Sequence, residues 1–217
     1  FNLEYDGVYL KHESEVGSFL FSSDAALPTW SFWRRMKPLI DMIPEQDVRD
    51  FVTTSYQMGG MMLFPRNPIN GMRTINVERG MNDRISDRLD LTVECIRLHY
   101  LGQHNPLLNP LGKTLLRYSD FFELFNDFNG FVDFFLLEDI LSDNRQSVNM
   151  FLPQDNFQTP SRPKNIQEYE TYRRRATNFV HARNHRMQSD VASRFDGVSL
   201  NPKKPDASPL TNANNMR

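Results

Sequence analysis

Near the start of the chain the apolar residues alternate with polar ones. Over most of the rest they recur at helical spacing. Within residues 1–27, Gly7-Val-Tyr-Leu-Lys-His-Glu13 and Ser18-Phe-Leu-Phe-Ser22 are rich in strand formers and flank Glu15, Val16 and Gly17, which predicts a β-hairpin. Thr29 offers an N-cap for a helix carrying Phe32, Met36, Leu39, Ile40 and Ile43, with Pro38 expected to kink or split it. Pro44 suits the first position of the next helix, where Glu45 and Asp47 favour the positive end of the dipole. Val48, Phe51, Val52 and Ser55 form its inner stripe, and Gly59-Gly60 stop it. Met61-Met-Leu-Phe64 reads as a short buried strand ended by Pro65. Asn70-Gly71 is a strong hairpin signal, with Arg73–Val77 as the return strand.

A long helix is expected from about Asn82 to Leu101, because Ile85, Leu89, Val93, Ile96 and Tyr100 fall on one face. A Pro/Gly/Asn loop over 102–113 separates it from a helical region at Leu115–Phe128, broken near Ser119. A further helix is predicted over Phe131–Leu141, a short strand over Val148–Leu152, and a polar helix over Ile166–Met187. That helix carries Tyr169, Tyr172, Ala176, Phe179, Val180 and Arg183. Together these elements predict an α+β fold: a mostly helical single domain over residues 1–187, with the strands at 7–22, 60–65 and 72–77 in one small antiparallel sheet. Residues 188–217, poor in aromatics and rich in Asn, Pro and Lys, read as a polar tail.

Composition sharpens the core. Seven of the 17 phenylalanines lie between Phe121 and Phe135, a density that makes this segment the expected anchor of the interior. Phe121, Phe125, Phe128, Phe134 and Phe135 are expected to share one core with Leu89, Val93 and Ile96. The net charge of −2 gives no overall electrostatic case for nucleic acid or an anionic membrane. Cys95 is the only cysteine, so no intrachain disulfide and no cysteine-based zinc site is available, and a reducing interior is the natural setting. No apolar run is long enough to span a membrane. The chain begins at Phe1 without a signal-like segment, and native residues are expected to precede it.

Several long motifs carry a resemblance. They are Gly59-Gly-Met-Met-Leu-Phe-Pro65, Thr74-Ile-Asn-Val-Glu-Arg-Gly80, and Ile85-x-Asp-Arg-x-Asp-Leu-Thr-x-Glu-Cys-Ile-Arg97-x-His-Tyr-Leu-Gly102. The aromatic run Asp120–Leu137, Tyr172-Arg-Arg-Arg175 and Phe179-Val-x-Ala-Arg-Asn184 extend them. Over roughly Gly7–Met187 the chain resembles an uncharacterised bacterial family known only as a domain of unknown function. The resemblance implies a bacterial, soluble, cytoplasmic protein and supplies no activity. It also implies a further N-terminal segment rich in Asp, Pro and Arg, and a loop at Leu107–Lys113 that is longer here than usual.

Five constellations bear on chemistry. Asn76, Glu78, Arg79, Arg84, Asp87 and Arg88 surround an expected strand-to-helix turn, where N–H groups and guanidinium forks can hold a phosphate or carboxylate. The plain alternative is a connection whose charges pair locally. The carboxylates Asp120, Asp127, Asp133, Glu138, Asp139 and Asp143 offer metal ligands or an acid/base pair, or simply caps and wet helix faces, with Asp120 and Asp127 looking like caps. His181 and His185 stand four apart, but Arg183 and Arg186 between and beside them disfavour a cation, and no metal or cofactor is called for. Arg173, Arg174 and Arg175 make the last helix locally basic, which suits phosphate contact or a solvated face. Cys95 and His99 allow a thiol–imidazole pair but lack a third partner, and a buried inert thiol is the plainer reading.

Two functions remain. One is a binding or regulatory protein acting through macromolecular interaction, with another protein or a second copy of the chain as partner. The other is an enzyme on a phosphate-bearing substrate, using the segment 76–97, with Arg79, Arg84 and Arg88 on the anion and Asp87 or Asp133 as base or metal ligand. The second requires those side chains to converge on one concave pocket.

Overall fold

The computed structural model describes residues 3–5, 9–154 and 156–194. Its four strands are β1 (Leu3–Tyr5), β2 (Leu10–Glu13), β3 (Ser18–Ala25) and β4 (Met61–Pro65), in the order β1-β2-β3-β4 and antiparallel throughout. Eight α-helices account for most of the remaining regular structure among the described residues. The fold is therefore α+β and mostly helical, as the patterning predicts. The hairpin of β2 and β3 is present, with Lys11 opposite Leu20, and β4 adds to β3 with Ala25 opposite Met61 and Phe21 opposite Pro65. Gly7 and Val8 of the predicted first strand lie outside the described residues.

Four expectations are corrected. The stretch after Thr29 folds mainly as consecutive turns, with Trp30 at a φ of 52°, and only α1 (Lys37–Ile40) is helical. Pro38 sits in the first turn of α1, where a missing N–H costs nothing, and Phe32 is exposed. Asn70 and Gly71 do turn the chain through positive φ, but no return strand follows. Residues 75–81 form α3 (Ile75–Met81), capped by Thr74, whose hydroxyl accepts from the Val77 N–H at 3.4 Å. The cap and the i, i+4 burial of Ile75 and Arg79 outweigh the strand-like alternation of Thr-Ile-Asn-Val. The long helix starts seven residues later than expected, as α4 (Leu89–Tyr100), because Ser86 and Asp87 adopt φ of 50° and 63°. Only an isolated bridge from Leu141 to Val148 stands where a strand over Val148–Leu152 is expected.

Helices α2 (Glu45–Ser55), α5 (Gly112–Arg117) and α6 (Ser119–Glu123) lie close to their predicted positions, and Tyr118 makes the expected break between the last two. Helix α7 (Phe128–Phe135) is capped by Asp127, whose carboxylate accepts from the Gly130 N–H at 2.8 Å. It ends at Leu136 in the left-handed conformation, earlier than the predicted helix to Leu141. Helix α8 (Ile166–Arg194) continues beyond Met187, so residues 188–194 are helical. The rest of the expected tail, 195–217, lies outside the described residues.

The aromatic segment is the interior, as expected. Phe121 touches the rings of Phe19, Phe21, Phe64, Phe122 and Phe125, joining the sheet to the helices. Leu89, Val93 and Ile96 are fully buried beside it. Phe134 departs from expectation: it is 41% exposed while its ring still packs tilted against Phe125 and edge-on against Phe135. On α8, Tyr169, Tyr172, Ala176, Phe179 and Val180 face inward, and Tyr172 packs against Trp30 at 4.7 Å and Phe51 at 5.9 Å.

Candidate functional site

The arginines singled out by the sequence turn out to brace the fold. Arg79 is wholly buried and donates to Asp87 at 2.5 Å, to Asp24 at 2.9 Å, to the carbonyl of Ala25 and to Asn76. Asn76 in turn donates to Ser22 Oγ on β3. Arg88, also buried, forms a bidentate pair with Asp90 and reaches the Leu152 carbonyl at 3.2 Å. Arg84 points to three carbonyls, those of Phe157, Pro106 and Leu107. No helix N-terminus stands near Asn82, so the anticipated anion cradle of N–H groups and guanidinium forks is not assembled.

Asp87 keeps an unusual environment. Burial, reinforced by the charge of Asp24 and opposed by Arg79, raises its carboxyl to about 6. Asp133 is paired with Arg145 on an exposed part of α7, so the two candidate bases are held by different partners. Arg84 does border a basic hollow of about 620 Å³ with Arg73, Lys113 and Arg117, but neither Asp87 nor Asp133 lines it.

The remaining constellations are likewise occupied. Glu138 and Asp139 pair with Arg186. Arg173 pairs with Asp47 and Glu170, and Arg175 caps the carbonyl of Met150, leaving Arg174 exposed. His181 and His185 are exposed, and no metal-binding group of His, Cys, Asp and Glu occurs among the described residues. Cys95 is buried, and burial pushes its thiol well up. The His99 ring packs at a tilt against His104, centroids 4.9 Å apart, and Phe122, 4.8 Å apart.

The feature that sequence reading missed is an apolar cleft of about 670 Å³ between the sheet and the last helices. Leu10 of β2, Phe21 of β3, and Met61 and Leu63 of β4 form one wall. Phe134, Phe135 and Leu136 at the end of α7, with Met187 of α8, form the other, and Met58 and Tyr5 stand at exposed positions along it. Between the lining residues Met58 and Met61, Gly59 and Gly60 allow a close backbone approach. A Cβ on Gly59 would meet the Val180 carbonyl at 2.5 Å, and one on Gly60 would meet the Ser55 carbonyl at 2.3 Å. The Gly59 N–H also donates to Asn184 at 2.7 Å, fastening the turn to α8.

Arg183 lies at the bottom of this arrangement, 2% exposed. It donates to the carbonyls of Phe135 at 3.0 Å, Gly59 at 3.0 Å and Met61 at 2.8 Å, and so ties α7, α8 and the start of β4 together. One signal of it is present in the sequence: Arg183 continues the buried stripe of Tyr172, Ala176 and Phe179 at steps of four, three and four.

A family model matches residues 1–187 of the chain. The chain belongs to DUF6994, a family of unknown function. The DUF6994 match covers β1 to β4, α1 to α7 and most of α8, and thus every wall of the cleft. No curated protein and no solved structure matches the chain. No described helix is long and apolar enough to cross a membrane.

Proposed function

We propose that this member of DUF6994 is a binding protein, and that the cleft between the sheet and the ends of α7 and α8 receives the apolar part of its partner. The observation that carries the reading is the cleft itself. Its volume of about 670 Å³ falls within the range of roughly 300–1,000 Å³ typical of ligand sites. Leucine, methionine and phenylalanine side chains wall it, and Phe134 and Met58 stay exposed along it. The phosphate-directed reading has less support, because Arg79 is consumed by Asp24 and Asp87, Arg88 by the buried Asp90, and Arg84 by carbonyls. A bacterial cytoplasm is the setting we propose, supported by the resemblance and by a single, buried cysteine.

The neutral apolar fluorophore N-phenyl-1-naphthylamine tests the reading. It should bind the full chain saturably at one site. Met58→Asp, at an exposed position, should weaken binding and leave the circular dichroism spectrum unchanged. No saturable binding, or binding indifferent to Met58→Asp and to Phe134→Ser, would refute the assignment.

A further inference from the structure

Among the described residues, Arg183 is the only charged one that lines the cleft. Its Nε and Nη1 are fully used on three carbonyls, whereas Nη2 donates to nothing among the described residues. No carboxylate among the described residues forms an ion pair with it. Glu138 acts on it only from farther away and is itself paired with Arg186. A buried cation without a counter-ion is costly, and native proteins seldom leave one unless something completes it. Arg183's three hydrogen bonds hold its fork in a fixed position, so a ligand oxygen meeting Nη2 needs no further ordering of the side chain. Burial lowers the Arg183 guanidinium to about 10, with Glu138 opposing the shift, so it remains cationic at neutral pH.

The rest of the lining narrows the ligand. Ser22 and Ser23 are the small polar residues of the wall, and Ser22 Oγ already accepts from Asn76, which leaves its own O–H to donate. A single guanidinium with one free edge matches a monoanion. A phosphate dianion would bring a second negative charge into apolar surroundings that hold no second cation. Beyond the charged end, Leu10, Phe21, Leu63 and Phe134 offer continuous apolar contact.

Building on the binding reading above, we infer that the cleft takes a small amphipathic monocarboxylate, its carboxylate on Arg183 Nη2 and its acyl chain along the sheet. The cation supplies selectivity by charge, and the wall supplies affinity by area.

The test compares dodecanoate with dodecanol by isothermal titration calorimetry on the full wild-type chain at pH 7.5. A charge-assisted hydrogen bond roughly doubles the strength of a neutral one, and dodecanoate should bind about tenfold tighter or more. In Arg183→Lys, which keeps the charge but not the fork, that preference should shrink while dodecanol binding stays. If this variant fails to fold, the two ligands on the wild-type chain decide alone. Equal affinities for the two overturn the carboxylate assignment and leave the apolar cleft standing. Failure of both to bind overturns the binding reading as well. Tighter binding of a peptide with apolar C-terminal residues and a free carboxylate would overturn the acyl chain as the occupant.

Discussion

Replacing Arg79 with methionine removes one buried cation and leaves two carboxylates facing each other. Arg79 has no exposed surface, and its guanidinium makes five hydrogen bonds, to Asn76, Asp87 (twice), Asp24 and Ala25. Orphaning the partner of a buried ion costs about 3–5 kcal/mol. Asp24 and Asp87 keep 48% and 29% of their side-chain surface in water, so they recover part of their solvation and the loss belongs near the lower end, about 3 kcal/mol. For a chain of this size that corresponds to a fall in Tm of about 6–12 °C. The loss should also depend on pH. The folded-state value of about 6 for Asp87 is above that of an unfolded aspartate. Its contribution is therefore fully present at low pH and fades as pH rises through 6. Without Arg79 the carboxyl binds its proton still more firmly, so the deficit of the variant grows from pH 5 to pH 8. Urea denaturation at both pH values measures this. A loss within about 0.5 kcal/mol at pH 8, the range of ordinary surface substitutions, would refute the buried-brace assignment. A large loss that is the same at both pH values would refute the role given to Asp87.

Phe125→Ala removes a ring packed against Phe121, Phe131, Phe134 and Phe135 and should cost about 3–5 kcal/mol, while an unchanged melting temperature would show that the aromatic cluster does not anchor the core. Burial, aided by the charge of His104, lowers His99 to about 4. The unfolded chain therefore takes up a proton at His99 below about pH 6.5 that the folded chain refuses, and stability present above that pH is lost as pH falls toward 4. His99→Gln should flatten this acid limb in urea denaturation across pH 4–7, and an unaltered limb would count against the assignment.

The sequence by itself determined where the chain buries itself. The Phe121–Phe135 run, the Ile85–Tyr100 stripe and the β2–β3 hairpin are written in local periodicity; the run and the hairpin appear where it places them, and the stripe is helical from Leu89 onward, with the buried Ile85 left in the turn before α4. It also contained the caps: Asp127 starts α7 because a short carboxylate next to a free N–H satisfies a local need. What local pattern left open was the destiny of charge. Arg79, Arg84 and Arg88 read as an anion cradle only if a helix begins at Asn82. Positive φ at Ser86 and Asp87, held by contacts from Arg79 and Asp83, removes that helix. Asp87 and Asp90, partners of Arg79 and Arg88, are near in sequence, but Asp24, Phe157 and Leu152, which complete the hydrogen bonding of Arg79, Arg84 and Arg88, are 55, 73 and 64 residues away, beyond any local window. The same holds for Arg183. Its place in an apolar stripe is local, but its unspent N–H edge exists only because Phe135, Gly59 and Met61 take the others, 48, 124 and 122 residues distant. Periodicity records burial because burial is a property of one element's face, whereas hydrogen-bond saturation of a long charged side chain belongs to the several elements that tertiary folding brings around it.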